Sequence, residues 1–261
     1  LTEIPPLALM TLRFLVLFTI FVPFMRWHKG QMGDIAIAAL TTGALSFGTG
    51  FVALTLAHDI APLAVASNLG VPFATILSAL FLGDRVGAWR GAALLISFAG
   101  VLVIGFDPRV ASYLGGFALN TIAAFFWAVG AIFMRKTKGV SPLDMQGWVA
   151  IGAWPPLLAV SYLSEPGAIA AVGKASATAW GCLAFLIVGS SLIGHVGFNW
   201  LLQRHPIPVL APFMLLAAVI ASVLGIVFLG DEISWRVVVG GAMTLAGVLV
   251  ITIREGRRRR R

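Results

Sequence analysis

Arg13 stands in the run MTLRFL with apolar residues on both sides. A guanidinium keeps its charge in such a place, so it needs either polar neighbours or an anionic ligand. Ser191, His195, Asn199 and Gln203 recur every fourth residue, which lines four hydrogen-bonding side chains along one slowly rotating helix face. Thr42, Ser46 and Thr49 make a similar stripe, followed by Asn68, Thr75 and Ser78, and the segment with Asn120, Ala124, Trp127 and Ala131 carries a polar and small-residue face. The amides of Asn68 and Asn199 each offer two donors and an acceptor, which suits the two ends of a zwitterion without adding net charge. Trp127, close in sequence to Phe125 and Phe126 and joined by Phe198, offers an aromatic wall. Structural roles remain open beside these. Hydroxyls bond back to their own helix, an aromatic packs in a core, His195 bridges two helices, and the long stem of Arg13 reaches a carbonyl or a neighbouring segment. The candidate substrate-binding residues are therefore Arg13, Asn68, Trp127, His195 and Asn199.

Other chemistry is missing from the sequence. No Asp or Glu lies in the middle of an apolar run, so there is no buried carboxylate to exchange a proton for a cation, which disfavours cationic-drug antiport. No HExxH, GxSxG or Walker loop occurs, and no enzyme is expected. His195 has no second ligand nearby, so no metal is expected, and nothing calls for a cofactor. The lone Cys182 forms no internal disulfide.

These side chains need elements to hold them. Of 261 residues 59% are hydrophobic and only 11% charged, and the apolar ones fall into nine runs: 7–25, 35–57, 63–82, 88–106, 113–134, 146–163, 178–202, 208–229 and 235–253. Each is close to the roughly 20 residues that a helix needs to cross hydrocarbon. The connections are short and carry the turn and charge signals. With the C-terminus placed in the cytoplasm, 14 of the 18 Lys and Arg fall on the cytoplasmic side, 3 on the other, and Arg13 inside a span. This is the positive-inside pattern of a multi-pass inner (plasma) membrane protein. The net charge of +8 thus points to a lipid bilayer and not to nucleic acid, and the tail 254–261 reads as a topology anchor.

The stretch FLGDRVGAWRGAALLISFAGVLVI at 81–104 returns as FLGDEISWRVVVGGAMTLAGVLVI at 228–251. One offset of 147 aligns 40–104 with 187–251 without a gap, giving 21 identities in 65 positions. With nine alternating spans the two copies enter the membrane in opposite directions, and the basic Arg85 and Arg90 of the first copy give way to Asp231 and Glu232 in the second. The expected fold is an all-α polytopic inverted-repeat bundle. Its first repeat is 1–106, with four spans, and its second is 107–253, with five. Aligning Pro6 with Pro142 and Leu7 with Leu143 leads to the expectation that a partner for the helix at 113–134 precedes Leu1, making five plus five.

The order IPPLALMTLRFLV, FLGD…AGVLVI, AAFFWAVGAIFMRK and FLGDE…AGVLVI resembles the EamA-type permeases of the drug/metabolite transporter superfamily. The resemblance implies ten helices in two inverted halves, cytoplasmic termini and alternating-access export of small metabolites, with amino acids and related zwitterions as the branch it matches best. It also favours Trp127 as a pathway residue. Asp84 and Asp231 stand where the family more often has Glu. Other readings kept open are a carrier of another organic solute, such as a nucleotide sugar or a drug, and a membrane scaffold that transports nothing.

Overall fold

The computed structural model describes residues 3–83, 86–197, 217, 219–232 and 234–258. Within them every regular element is helical. Seven helices are long and apolar enough to cross a bilayer: α1 (Pro6–Phe24), α2 (Met32–Leu56), α3 (Ala61–Leu82), α4 (Ala88–Gly105), α5 (Leu114–Lys136), α7 (Ala177–Val196) and α9 (Trp235–Ile253). α6 (Pro142–Ser164) has 23 residues, but Asp144, Gln146 and the Pro155–Pro156 pair dilute its apolar run. α8 (Val219–Leu229) is a shorter apolar helix, and the earlier part of the expected run 208–229 lies outside the described residues. Among the described residues, seven helices therefore meet both tests of length and hydropathy. The chain is an all-helical polytopic membrane protein.

Proline starts α1, α3 and α6 within their first turn, where its missing N–H has no intrahelical partner to lose. Gly83 and Gly230 close the two FLG segments at φ of 69° and 75°, a left-handed position that favours glycine. Asp231 follows directly. It is buried, and its carboxylate accepts the backbone N–H groups of Ile60 and Ala61, at 2.8 and 3.0 Å, at the start of α3.

The chain forms two compact units, residues 1–55 with 129–203 and residues 56–128 with 204–261. Each unit draws helices from both sequence repeats. In the first, α6 packs against α1 and α2 over a core that includes Met10, Phe14, Leu17, Ile35, Val149 and Leu157. Both ends of α6 are fastened. Glu165 accepts the N–H groups of Leu7 and Ala8, each at 2.9 Å. Asp144 accepts the Arg26 N–H at 3.1 Å and meets His28 Nε2 at 2.6 Å.

The second unit is built around α4 against α9, the two copies of the repeated module. Ser97 Oγ donates to the Thr244 carbonyl at 3.4 Å and Thr244 Oγ1 to the Ser97 carbonyl at 3.3 Å, between residues separated by the repeat offset of 147. Gly100 abuts Gly240 and Gly247 abuts Ala93. Numbers rise along one helix as they fall along the other, so the copies lie antiparallel with reciprocal contacts. That is the signature of an inverted repeat. Outward apolar side chains such as Leu95, Phe185 and Leu163 suit hydrocarbon.

Candidate functional site

Arg13 is 2% exposed, and every described group it touches is neutral. Its Nε donates to Ser191 Oγ at 3.0 Å, and Nη2 donates to Ser191 Oγ at 2.8 Å and Ser190 Oγ at 3.2 Å. Nη1 faces the Met10 sulfur at 3.9 Å. The guanidinium carbon lies 5.0 Å from the centre of the Phe47 ring and 5.6 Å from that of Phe14, within cation–π range. No carboxylate pairs with it among the described residues. His195 completes the cluster, its ring 5.6 Å from Phe47 at 87°. Both neighbouring helices widen at this level, with π-helical turns over Leu40–Phe47 in α2 and Leu186–Val196 in α7. The repeat offset maps the first stretch onto the second, and such turns are rare enough to mark a special segment. The wide turn lets Ser191 donate its own proton to the carbonyl of Leu186, five residues back, at 3.1 Å, while its oxygen accepts from Arg13. In the same unit, Thr42 Oγ1 and Trp154 Nε1 are buried with no hydrogen-bond partner among the described residues.

The second unit holds Asn68 and Trp127. α3 is interrupted at Asn68–Leu69 because Pro72 has no N–H to return to the Asn68 carbonyl, which takes the Val71 N–H instead. Asn68 Nδ2 donates to the Ala64 carbonyl in its own helix at 2.9 Å. The amide expected to need an outside partner thus spends a donor repairing its own broken helix. Asn120 fastens α5 to this break, donating to the Leu63 carbonyl at 2.8 Å and Ser67 Oγ at 3.1 Å. The half-exposed Trp127 covers Gly70, where an added Cβ would sit 2.8 Å from its ring. Phe125 joins Phe73 and Phe98 in an aromatic chain. Thr75 and Ser78 bond to their own helix.

Of the residues picked out in the sequence, Arg13, Ser191 and His195 come together in one unit, and Asn68 and Trp127 lie within one turn of the same helix break in the other. Asn199, Gln203 and Phe198 lie outside the described residues. Sequence reasoning passed over Phe47, Phe14, Met10 and Ser190. Only the pairing of Phe14 with Arg13 in sequence hinted at them.

A bundle of apolar helices with an inverted repeat and a buried cation inside a span is the architecture of a secondary transporter. Residues 114–253 match the EamA-like transporter family, and the chain belongs to that family. It is a membrane transporter and not an enzyme. It is similar to an uncharacterized transporter of Archaeoglobus fulgidus, 25% identical over 253 residues, covering 94% of this chain and 88% of that protein. It is also similar to a probable amino-acid metabolite efflux pump of Escherichia coli, 23% identical over 256 residues, with 95% and 86% covered. A solved crystal structure shares the fold, with a TM-score of 0.63 at 20% identity, covering 96% of this chain and 90% of its own.

Proposed function

We propose that this transporter exports small metabolites, amino acids or related zwitterions, across the inner (plasma) membrane by alternating access, with its C-terminus in the cytoplasm. The observation that carries the reading is Arg13, a fully buried cation solvated by hydroxyls and aromatic rings and paired with no acid among the described residues. An uncompensated charge in hydrocarbon is costly, and it is retained where it meets a ligand. The unpartnered Thr42 hydroxyl in the same unit adds a second polar group of the kind a polar substrate uses. His195 stands beside Phe47 in the same unit, and Asn199, Asn68 and Trp127 are carried as further proposed substrate contacts. The similar Escherichia coli protein, named as a probable amino-acid metabolite efflux pump, supports the substrate class. In this reading 1–106 and 107–253 are the two repeats of the transporter.

The test is counterflow of a radiolabelled panel of the common amino acids in proteoliposomes holding the full chain. Flux above that of protein-free liposomes for at least one amino acid is expected. Absence of flux for the whole panel, from protein shown to be folded, overturns the reading.

A further inference from the structure

We infer that Arg13 receives the substrate's carboxylate and that no acid among the described residues meets the amine, so that the carrier takes organic carboxylates whether or not they bear a free amino group. The inference rests on the proposed passage of substrate past Arg13.

The neighbours of Arg13 solvate its charge without cancelling it. The fork formed by Nε and Nη2 converges on the single oxygen of Ser191, where a carboxylate would bring two oxygens in the geometry that guanidinium prefers. Among the described residues Nη1 has only the Met10 thioether, a weak acceptor. Two of the five N–H groups therefore lack a strong partner, on a side chain 98% withdrawn from solvent. The acids of the same unit are committed elsewhere. Glu165 caps α1, Asp144 is held by His28 and the Arg26 N–H, Glu3 binds Ser176, and Asp34 stands in the first turn of α2.

Among the described residues an ammonium group finds no anionic counterpart. No Asp or Glu lies mid-span anywhere in the sequence. The aromatic faces of Phe14 and Phe47, which would attract a cation, already hold the Arg13 guanidinium. Among the described residues, one end of a zwitterion is therefore met by full charge and the other by neutral groups.

The test uses L-leucine, N-acetyl-L-leucine and L-leucinamide on the purified full chain. Binding is read as the shift of the thermal unfolding midpoint in detergent, and flux as counterflow in proteoliposomes. L-leucine and N-acetyl-L-leucine are expected to stabilise the protein with affinities within about threefold of each other, because both present the same carboxylate to Arg13. L-leucinamide is expected to bind at least about 30-fold more weakly, the loss that follows removal of one partner of a buried charged hydrogen bond. Arg13→Lys keeps the charge and loses the fork, and it should narrow the gap between acid and amide. The ligand comparison on the unaltered chain decides the matter even where that variant fails to fold. Equal binding or equal flux of L-leucinamide and L-leucine overturns the carboxylate assignment and leaves export standing. Preference for L-leucine with N-acetyl-L-leucine excluded shows that the amine is read, and also overturns the inference. Carboxylate-dependent binding with no flux for the whole amino-acid panel supports the receptor and removes the export reading, and absence of both binding and flux removes both.

Discussion

Replacing Gly100 by Ala tests the helix crossing on which the inverted repeat closes. A Cβ at Gly100 would stand 2.4 Å from the Gly240 carbonyl oxygen, 2.5 Å from Thr244 Oγ1 and 2.7 Å from the Thr244 nitrogen. Two of these atoms belong to backbone and cannot swing aside, so α4 and α9 must part by about 1 Å to restore ordinary contact in an interior that is close-packed. The reciprocal Ser97 and Thr244 hydrogen bonds, already 3.4 and 3.3 Å long, would then be lost. Overpacking costs about 1–3 kcal/mol, and two interhelical hydrogen bonds in a membrane add about 0.6 kcal/mol each, for a total of about 2–4 kcal/mol.

Gly91→Ala in the same helix is the control, since its Cβ meets nothing within 4 Å and it shares the gain in helix propensity. Gly240→Ala should cost about as much as Gly100→Ala, because its Cβ meets the Gly100 carbonyl at the same 2.4 Å. Unfolding by titrating SDS into mixed micelles, followed by helical circular dichroism, gives the differences. If Gly100→Ala is within about 0.5 kcal/mol of Gly91→Ala, the ordinary range for a substitution with no special contact, the crossing is not tightly packed and the reasoning fails.

Two further outcomes are expected. Asp107 is buried, which alone raises a carboxyl, yet the Ser234 hydroxyl, the Arg109 N–H and the charges of Arg236 and Arg109 hold it below its ordinary 3.8. Since the folded value is the lower one, its stabilisation is complete above about pH 5 and is lost as pH falls through that value. The stability gap between the native chain and Asp107→Asn should therefore narrow below about pH 4, and a gap that stays constant from about pH 6 to pH 3 contradicts the assignment. In a Cys182→Ser background, Gly87→Cys and Glu232→Cys, in the corresponding loops of the two modules, should react with an impermeant maleimide from opposite sides of the membrane; reaction from one side contradicts the opposed insertion.

The spans and the repeat were legible because both rest on long-range statistics of the chain. Run length marks α1 to α5, and a constant offset pairs Ser97 with Thr244 before any contact is known. Arg13 was legible for a local reason, as the single charge inside an apolar run, and Ser191 because it opens a stripe. Partnership was not legible. Asp231 reads in sequence as part of a sign change that keeps basic residues off one side, and in the structure it is a buried cap on the start of α3, 171 residues away in sequence. The FLGD motif thus does two jobs: its glycine ends one helix and its aspartate starts another. The local bond of Asn68 was not legible because side-chain cost was weighed without the backbone. Pro72 stands four residues on, and the carbonyl it frees sets off the rearrangement in which the amide bonds to Ala64. The π-helical turns at 40–47 and 186–196 leave no mark in residue type.

The partners of Arg13 also limit what the site can be. Had an aspartate stood at Ser191, the pair would be neutral, the cost of burying the guanidinium would be met inside the protein, and a carboxylate ligand would have to displace a bound anion. A hydroxyl does neither. It satisfies N–H groups while leaving the full charge in place, and Phe47 and Phe14 add a quadrupole that is weaker than any ion. Such a cluster holds the cation poorly in isolation and holds it well once an anion arrives. The difference between those two states is the free energy a carrier needs to favour its loaded form. Ser191→Asp is therefore the substitution that most directly inverts the proposed preference. It should stabilise the empty protein or leave it unchanged, and it should abolish stabilisation by N-acetyl-L-leucine.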